Sequence, residues 1–255
     1  MNSPTALELL QVWEQGFSAS PMRRALYLLA VAHPNQPWEN LVQLSIGCRD
    51  RLLLNLREQL FGSHLASVTR CPQCQEPLEL SFTMADVRVT AAEEDPVSSL
   101  LPPSSLAAEL SLQIEDYTIQ FRLPNSLDLE RAAGCTDPEA LQQQLLESCV
   151  LSAQHQGADC AAAALPEAVV SAIAARMAAA DPQADVQIAL SCPACEHQWH
   201  STFDIVQFFW SELHVWAQRT LVEVHRLARA YGWHEADILA MSPQRRQLYL
   251  EMVQQ

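Results

Sequence analysis

The sequence predicts an α+β protein with helices at both ends and two β-hairpins that each carry a CPxC turn. Three observations predict it. Apolar residues recur at helical spacing over the first sixty positions and again after residue 204. The stretches 65–90 and 184–204 alternate apolar with polar residues instead. Cys71-Pro-Gln-Cys74 and Cys192-Pro-Ala-Cys195 interrupt those two stretches at equivalent points.

Leu7, Leu9, Leu10, Val12 and Trp13 give an apolar stripe. Pro21 opens PMRRALYLLAVA, where a first-turn proline leaves no amide unsatisfied that the helix would have used. A turn at HPNQP precedes a third helix from Trp38 to Leu44. The segment from Cys48 to Gly62 places Leu52, Leu53, Leu56, Leu60 and Phe61 on one face, with Gly62 as its stop. In the hairpin 65–90, Leu78, Leu80 and Phe82 point one way and Glu79, Ser81 and Thr83 the other.

Residues 91–105 are rich in Pro, Ser and acid and predict a linker; Glu93, Glu94 and Asp95 there read as a solvated run. ELSLQIEDYTIQFRLP predicts two strands joined at Glu115-Asp116, and 126–150 predict two short helices. QHQGADCAAAALPE reads as a loose connection, and 167–180 as an Ala-rich helix closed by DPQAD. After the second CPxC hairpin, Ile205, Phe208, Phe209, Leu213, Trp216, Leu221, Val224, Leu227 and Tyr231 recur at steps of three or four. Gly232 stops that helix. HEADILAM and SPQRRQLYLEMV predict two more, the latter with Ser242 as N-cap and Pro243 at the first position. The predicted organisation is a helical region over 1–64, a β part split between 65–90 and 184–204, an inserted α+β segment over 91–183 and a helical region over 205–255.

Four thiolates from two tight turns suit one Zn²⁺, which takes four ligands in a tetrahedron and is commonly held by cysteine in structural sites. Each CPxC pair lies between two strand-like runs, as the arms of a zinc ribbon do. Residues 75–191 separate the pairs, so the ribbon is split, and the insertion must bring the chain back to the first hairpin. Loop-closure entropy rises slowly enough with length to allow this. Cys71, Cys74, Cys192 and Cys195 are therefore the predicted ligands of a structural zinc. Redox pairs and disulfides are the rivals; a redox CxxC begins a helix, whereas both pairs here run into strand sequence. His64, His197 and His200 are predicted bystanders. A Cys₄ shell leaves no open position for catalysis. Laid over one another, the two hairpins match Cys71 to Cys192, Cys74 to Cys195, Leu78 to Trp199 and Phe82 to Phe203.

The formal charge is −15, from 30 acidic residues against 15 basic ones, all arginine. Such a balance disfavours phosphate backbones and anionic lipid as partners. No stretch of eighteen apolar residues exists, and the first residues lack a secretory pattern. The remaining cysteines, Cys48, Cys135, Cys149 and Cys160, read as small hydrophobes, which together with the metal spacing predicts a reducing, cytoplasmic setting. The six glycines are isolated and form no phosphate-cradling loop, and no GxSxG or HExxH motif is present. Trp210, Trp216, Tyr231 and Trp233 are candidate anchors for a protein partner.

Residues 47–62 (GCRDRLLLNLREQLFG), both CPxC turns and the C-terminal stretch from FFWSEL, with Ala230-YGWHE, Ile238, Ser242-PQRR and Tyr249, resemble the T-even-type bacteriophage baseplate protein family. The resemblance implies a non-enzymatic structural or assembly protein of a phage or phage-tail-like contractile injection system. It implies other baseplate or tail proteins as partners, rather than nucleic acid or membrane. It carries over the four cysteines as ligands and no other functional residue; residues 91–180 match no motif. The alternatives are a zinc-ribbon adaptor of nucleic-acid machinery, for which the knuckle flanks offer Arg70 but also Glu76, Glu79 and Glu196, and a thiol-redox protein.

Overall fold

Thr5 starts the first helix. Its hydroxyl accepts the Glu8 amide N–H while the Glu8 carboxylate accepts from the Thr5 N–H, so two amides with no partner in the helix are satisfied at once. The structure is a computed structural model that describes residues 3–89 and 109–253; the predicted linker 91–105 and its acidic run lie outside the described residues. Helix α1 (Ala6–Gly16) is followed by α2 (Pro21–Ala32), capped by Ser20 with Pro21 at the first position. The third helix, α3 (Trp38–Val42), is a single turn and ends before Leu44. Ser45 caps α4 (Ile46–Phe61) through the Cys48 amide, and Gly62 ends it at φ 85°. Two antiparallel strands follow, β1 (His64–Arg70) and β2 (Pro77–Thr83), then one turn of helix, α5 (Met84–Val87).

The inserted segment holds β3 (Glu109–Ile114) and β4 (Tyr117–Arg122), joined at Glu115-Asp116 as predicted, with α6 (Ser126–Ala132) and α7 (Pro138–Cys149) behind them. Strand β5 (Val150–His155) starts at the last residue of the predicted helical stretch and runs into the one read as a loose connection, which also holds β6 (Ala158–Asp159), so the sheet has four antiparallel strands in the order β3-β4-β5-β6. The physical signal was Gly157: Gln156 and Gly157 sit at φ 52° and 81°, the pair of left-handed conformations that a two-residue hairpin turn needs. Helix α8 (Glu167–Ala180) leads to the second ribbon hairpin, β7 (Gln187–Ser191) and β8 (Gln198–Thr202), and then to α9 (Ile205–Tyr231), α10 (Glu235–Leu239) and α11 (Pro243–Val253). Ser242 caps α11 through the Arg245 amide. Among the described residues no helix is long and apolar enough to cross a membrane.

Contacts divide the chain into two compact units, Met1–Asn35 with Ile205–Gln255, and Gln36–Asp204. The first unit is all helical. Its core gathers Leu10, Ala217, Val224, Leu227, Ile238, Leu239 and Leu250. Helix α9 buries Ile205, Val206, Phe209, Trp210, Leu213, Ala217, Thr220, Val224 and Leu227. This corrects the predicted stripe: Leu221 and Tyr231 are 36% and 38% exposed, and Leu7 of α1 is 44% exposed. The buried seam includes Ala217 and Thr220 as well as larger residues, so side-chain size was a poor guide to which face turned inward. Gly16 lies close against α9, since a Cβ there would collide with the Trp210 ring. Trp13 Nε1 donates to His214 Nδ1 at 3.0 Å, tying α1 to α9.

In the second unit, α4 is held at both ends by buried polar groups. It buries Leu53, Leu54 and Leu56, while Leu52, Leu60 and Phe61 are only half-buried, and it takes Arg49 and Arg57 inside. Burying a guanidinium is costly unless its donors are used. Arg57 Nη1 donates to the Gly62 carbonyl and Nη2 to the His64 carbonyl, each at 2.7 Å, which locks the end of α4 to the start of β1. At the other end, the Asp181 carboxylate accepts the Gly47 amide N–H at 2.8 Å. An anion there is favoured by the helix dipole. A Cβ at Gly47 would collide with that carboxylate, so glycine is required by space.

The inserted sheet has its own core of Ile119, Phe121, Leu146, Ala153, Leu165, Val169 and Ile173. Arg122 makes a two-pronged ion pair with Asp128, at 2.6 and 2.9 Å, and Nη2 also donates to the Ser148 carbonyl at 2.8 Å. Asp128 is 1% exposed and also accepts the Asn125 amide N–H, so one carboxylate starts α6 and ties it to β4.

Replacing Asp128 by Ala leaves the Arg122 guanidinium without its main partner and is expected to cost about 3–5 kcal/mol in denaturant unfolding; a loss under about 1 kcal/mol would contradict this role. In the helical unit, His33 is buried with Nε2 unpartnered among the described residues. Burial holds its pKa below the ordinary value of 6.5. The unfolded chain then binds the proton more readily than the folded one, so stability is full above about pH 6.5 and falls as pH drops below it toward the folded pKa. Melting curves between pH 7.5 and 5 should show that loss, and His33→Phe should flatten it.

Candidate metal centre

Each CPxC turn is built the same way. In the first, the Cys71 amide N–H donates to the Glu76 carbonyl and the Gln75 amide N–H to the Cys71 carbonyl, at 3.0 and 2.9 Å. In the second, the Cys192 amide N–H donates to the His197 carbonyl and the Glu196 amide N–H to the Cys192 carbonyl, both at 2.9 Å. Both turns close with a non-glycine residue in the left-handed region, Gln75 at φ 63° and Glu196 at φ 59°. Glycine is the usual choice for such a conformation, so composition gave no hint of these two positions. They fall at matching places in the two hairpins, which extends the predicted internal match beyond the cysteines and aromatics.

The two hairpins meet at the turns. Cys71, Leu78 and Cys192 form a buried cluster, with Leu80, Cys195 and Trp199 packed against it. Phe82 and Phe203, also matched positions, meet edge to face at 5.8 Å. The Phe203 amide N–H donates to the Val186 carbonyl at 2.8 Å, closing the base of the second hairpin. The chain's departure and return are tied by one side chain: Gln183, 7% exposed, accepts the Val89 amide N–H at 2.8 Å and donates to the Val87 carbonyl at 3.1 Å. Sequence reading missed Gln183, because a glutamine in a polar closing turn carries no signal of burial.

All four predicted cysteines converge. The sulfurs of Cys71, Cys74, Cys192 and Cys195 lie within 4.8 Å of one another. Across the two turns, Cys71 Sγ is 3.7 Å from Cys195 Sγ and Cys74 Sγ is 3.5 Å from Cys192 Sγ. A disulfide needs about 2.05 Å. Four thiolates at about 2.3 Å from one zinc, in a tetrahedron, stand roughly 3.8 Å apart, so the donor set and its spacing fit such an ion. Among the described residues no histidine joins the cluster. His64 Nε2 lies 3.0 Å from the Ser81 hydroxyl, and His197 stacks on Trp199. Each pair runs into a strand, β2 or β8, instead of a helix start, which removes the dipole that a redox CxxC uses.

The electrostatics point the same way. Burial pushes the Cys71 thiol up, yet the amide N–H groups of Cys74 and Gln73, with the thiols of Cys74 and Cys195, bring it down to about 7. The His197 amide favours a thiolate at Cys195, but burial and three sulfur neighbours outweigh it and push that thiol up to about 12. At Cys74 the Glu76 amide and Cys195 lower the pKa, and burial with the sulfurs of Cys192 and Cys71 raises it above the ordinary value. Four thiols this close cannot all ionise against one another. A divalent cation held there would supply the positive charge that lets them, coupling its binding to proton release and to folding.

The aromatic candidates belong to the helical unit. Trp210, 8% exposed, packs against Gly16 with the Arg24 guanidinium 4.7 Å over its ring. Trp216 is half-buried against the unit's core. Tyr231 and Trp233 stack at 4.5 Å, and Tyr249 meets Trp233 edge-on at 4.8 Å.

Cys192→Ser should remove bound metal from the purified protein and lower Tm by more than about 4 °C, the shift that roughly 1 kcal/mol gives in a domain of this size. Unchanged melting and metal content would contradict a structural ion.

A family model described as T4 bacteriophage base plate protein matches residues 33–210. That span takes in α4, both hairpins and the inserted segment in which sequence reading found no motif, and it ends before the Ala230-YGWHE stretch. No curated protein and no solved structure matches the chain.

Proposed function

The chain belongs to the T4 bacteriophage base plate protein family, and from that premise we propose that it is a non-enzymatic structural or assembly protein of a contractile tail baseplate. The family match over residues 33–210 carries this reading. In it, Cys71, Cys74, Cys192 and Cys195 hold one structural Zn²⁺ that fastens the two hairpins. Catalysis has no part in the proposal, because a closed Cys₄ shell has no position for a substrate.

Other baseplate or tail proteins are the proposed partners, met in the cytoplasm during assembly and then within a phage or phage-tail-like particle, including contractile injection systems. Tyr231, Trp233 and Trp216 are proposed as contact residues, since aromatic anchors dominate such interfaces. Trp210, wedged against Gly16 and under Arg24, would serve by fixing α9. The proposed organisation has four parts, a helical region over 1–64, a split ribbon over 65–90 and 184–204, an inserted α+β segment over 91–183 and a helical region over 205–255.

Deleting the gene from its phage or tail cluster is expected to leave tail tubes without baseplates in electron micrographs, with recovery on supplying the intact chain. Normal, complete baseplates in the deletion would contradict the proposal.

A further inference from the structure

Charge is unevenly shared along this chain. Residues 1–35 and 205–255 carry seven Arg against seven Asp or Glu, so the whole formal charge of −15 lies on residues 36–204. Within the neutral helical unit the arginines are not scattered. Arg219, Arg226 and Arg229 follow one another at helical steps along α9, all exposed, and form no ion pair among the described residues. With Val222 between them they line a groove whose other wall is α11, through Leu250 and Val253.

The groove is made of two hollows of about 670 and 410 Å³ that share Arg226 and Leu250. It follows α9 from Gln218 to Ala230, a run of roughly 18 Å at 1.5 Å per residue. Its floor is apolar, and Val222 and Val253 are 50% and 39% exposed. The carboxylate that lines it, Glu223, accepts from Arg246 Nε at 3.0 Å. Arg246 is itself 3% exposed and also donates to the Met241 carbonyl at 2.8 Å. The negative charge in the groove is therefore neutralised by a buried partner, and the three exposed guanidiniums are left in excess.

We propose that the groove between α9 and α11 is a docking site for an acidic amphipathic helix of a partner protein. Apolar side chains of that helix would cover Val222, Leu250 and Val253, and its carboxylates would meet Arg219, Arg226 and Arg229. The groove's length suits about three turns, and helix-in-groove recognition reads anchors at this spacing. Guanidiniums pair with carboxylates in a two-pronged geometry that fixes register as well as charge. A nucleic acid would also meet the arginines but would leave the apolar floor uncovered. The inference rests on the assembly reading only for the origin of the helix; the surface stands on the helical unit alone, and its test does not depend on the metal or on baseplates.

The experiment uses the full chain and a fluorescent peptide of about 18 residues with Leu and Glu at helical spacing, read by anisotropy. Saturable binding is expected, weakened at least about tenfold as salt rises from about 50 to 500 mM. R226E/R229E should weaken it by at least about tenfold while keeping the Tm of the parent, since both side chains are exposed. Absence of saturable binding would overturn the proposal, as would equal affinity for the peptide with Lys in place of Glu. So would tighter binding of a single-stranded oligonucleotide, or a concentration-dependent dimer that the same variant abolishes, which would assign the groove to a second copy.

Discussion

Four sulfurs brought within 4.8 Å of one another are the constraint on which the second unit is organised. They come from two turns on either side of a long inserted segment, so whatever fixes them also fixes where the insertion begins and ends. Left as thiols they oppose one another's ionisation, although neighbouring amides ease Cys71 toward the thiolate. A divalent ion bound there would turn that conflict into a tie, and its binding free energy would then count toward folding. The surrounding apolar contacts are Leu78, Leu80, Trp199 and the Phe82–Phe203 pair.

Protein groups share the task of returning the chain. Gln183 bonds to the backbone at Val87 and Val89 with both ends of its amide, which draws the departing and returning segments together. Two residues earlier, Asp181 caps α4 at Gly47, and at the far end of that helix Arg57 joins it to the first strand of the ribbon. Helix α4 is thus a strut between the end of the insertion and the first hairpin. Each tie is a buried or half-buried polar bond to backbone, where direction is fixed more strictly than apolar packing could fix it.

Much of this was legible in the sequence. The CPxC spacing, the switch from helical to alternating periodicity and the boundary residues Pro21, Gly62 and Ser242 are local signals, and local signals predict local structure. Convergence of the cysteines was also readable, because four soft ligands in two matching turns suit one ion better than two separate pairs. What escaped was set by tertiary context. The inward face of α9 takes in the small residues Ala217 and Thr220 beside Phe209, Leu213, Val224 and Leu227, and leaves Leu221 out. The hairpin at Gln156-Gly157 lay in a stretch whose polarity masked its turn. Arg57 and Gln183 look like surface residues until their partners are known. Gln75 and Glu196 occupy left-handed positions where glycine would have been the sign.

The most direct test is X-ray absorption at the zinc edge on the purified native chain, with metal content measured alongside. The account predicts one zinc per chain with four sulfur neighbours at about 2.3 Å. A chain that purifies without metal and with its cysteines oxidised in pairs, or a zinc shell of nitrogen and oxygen, would contradict it.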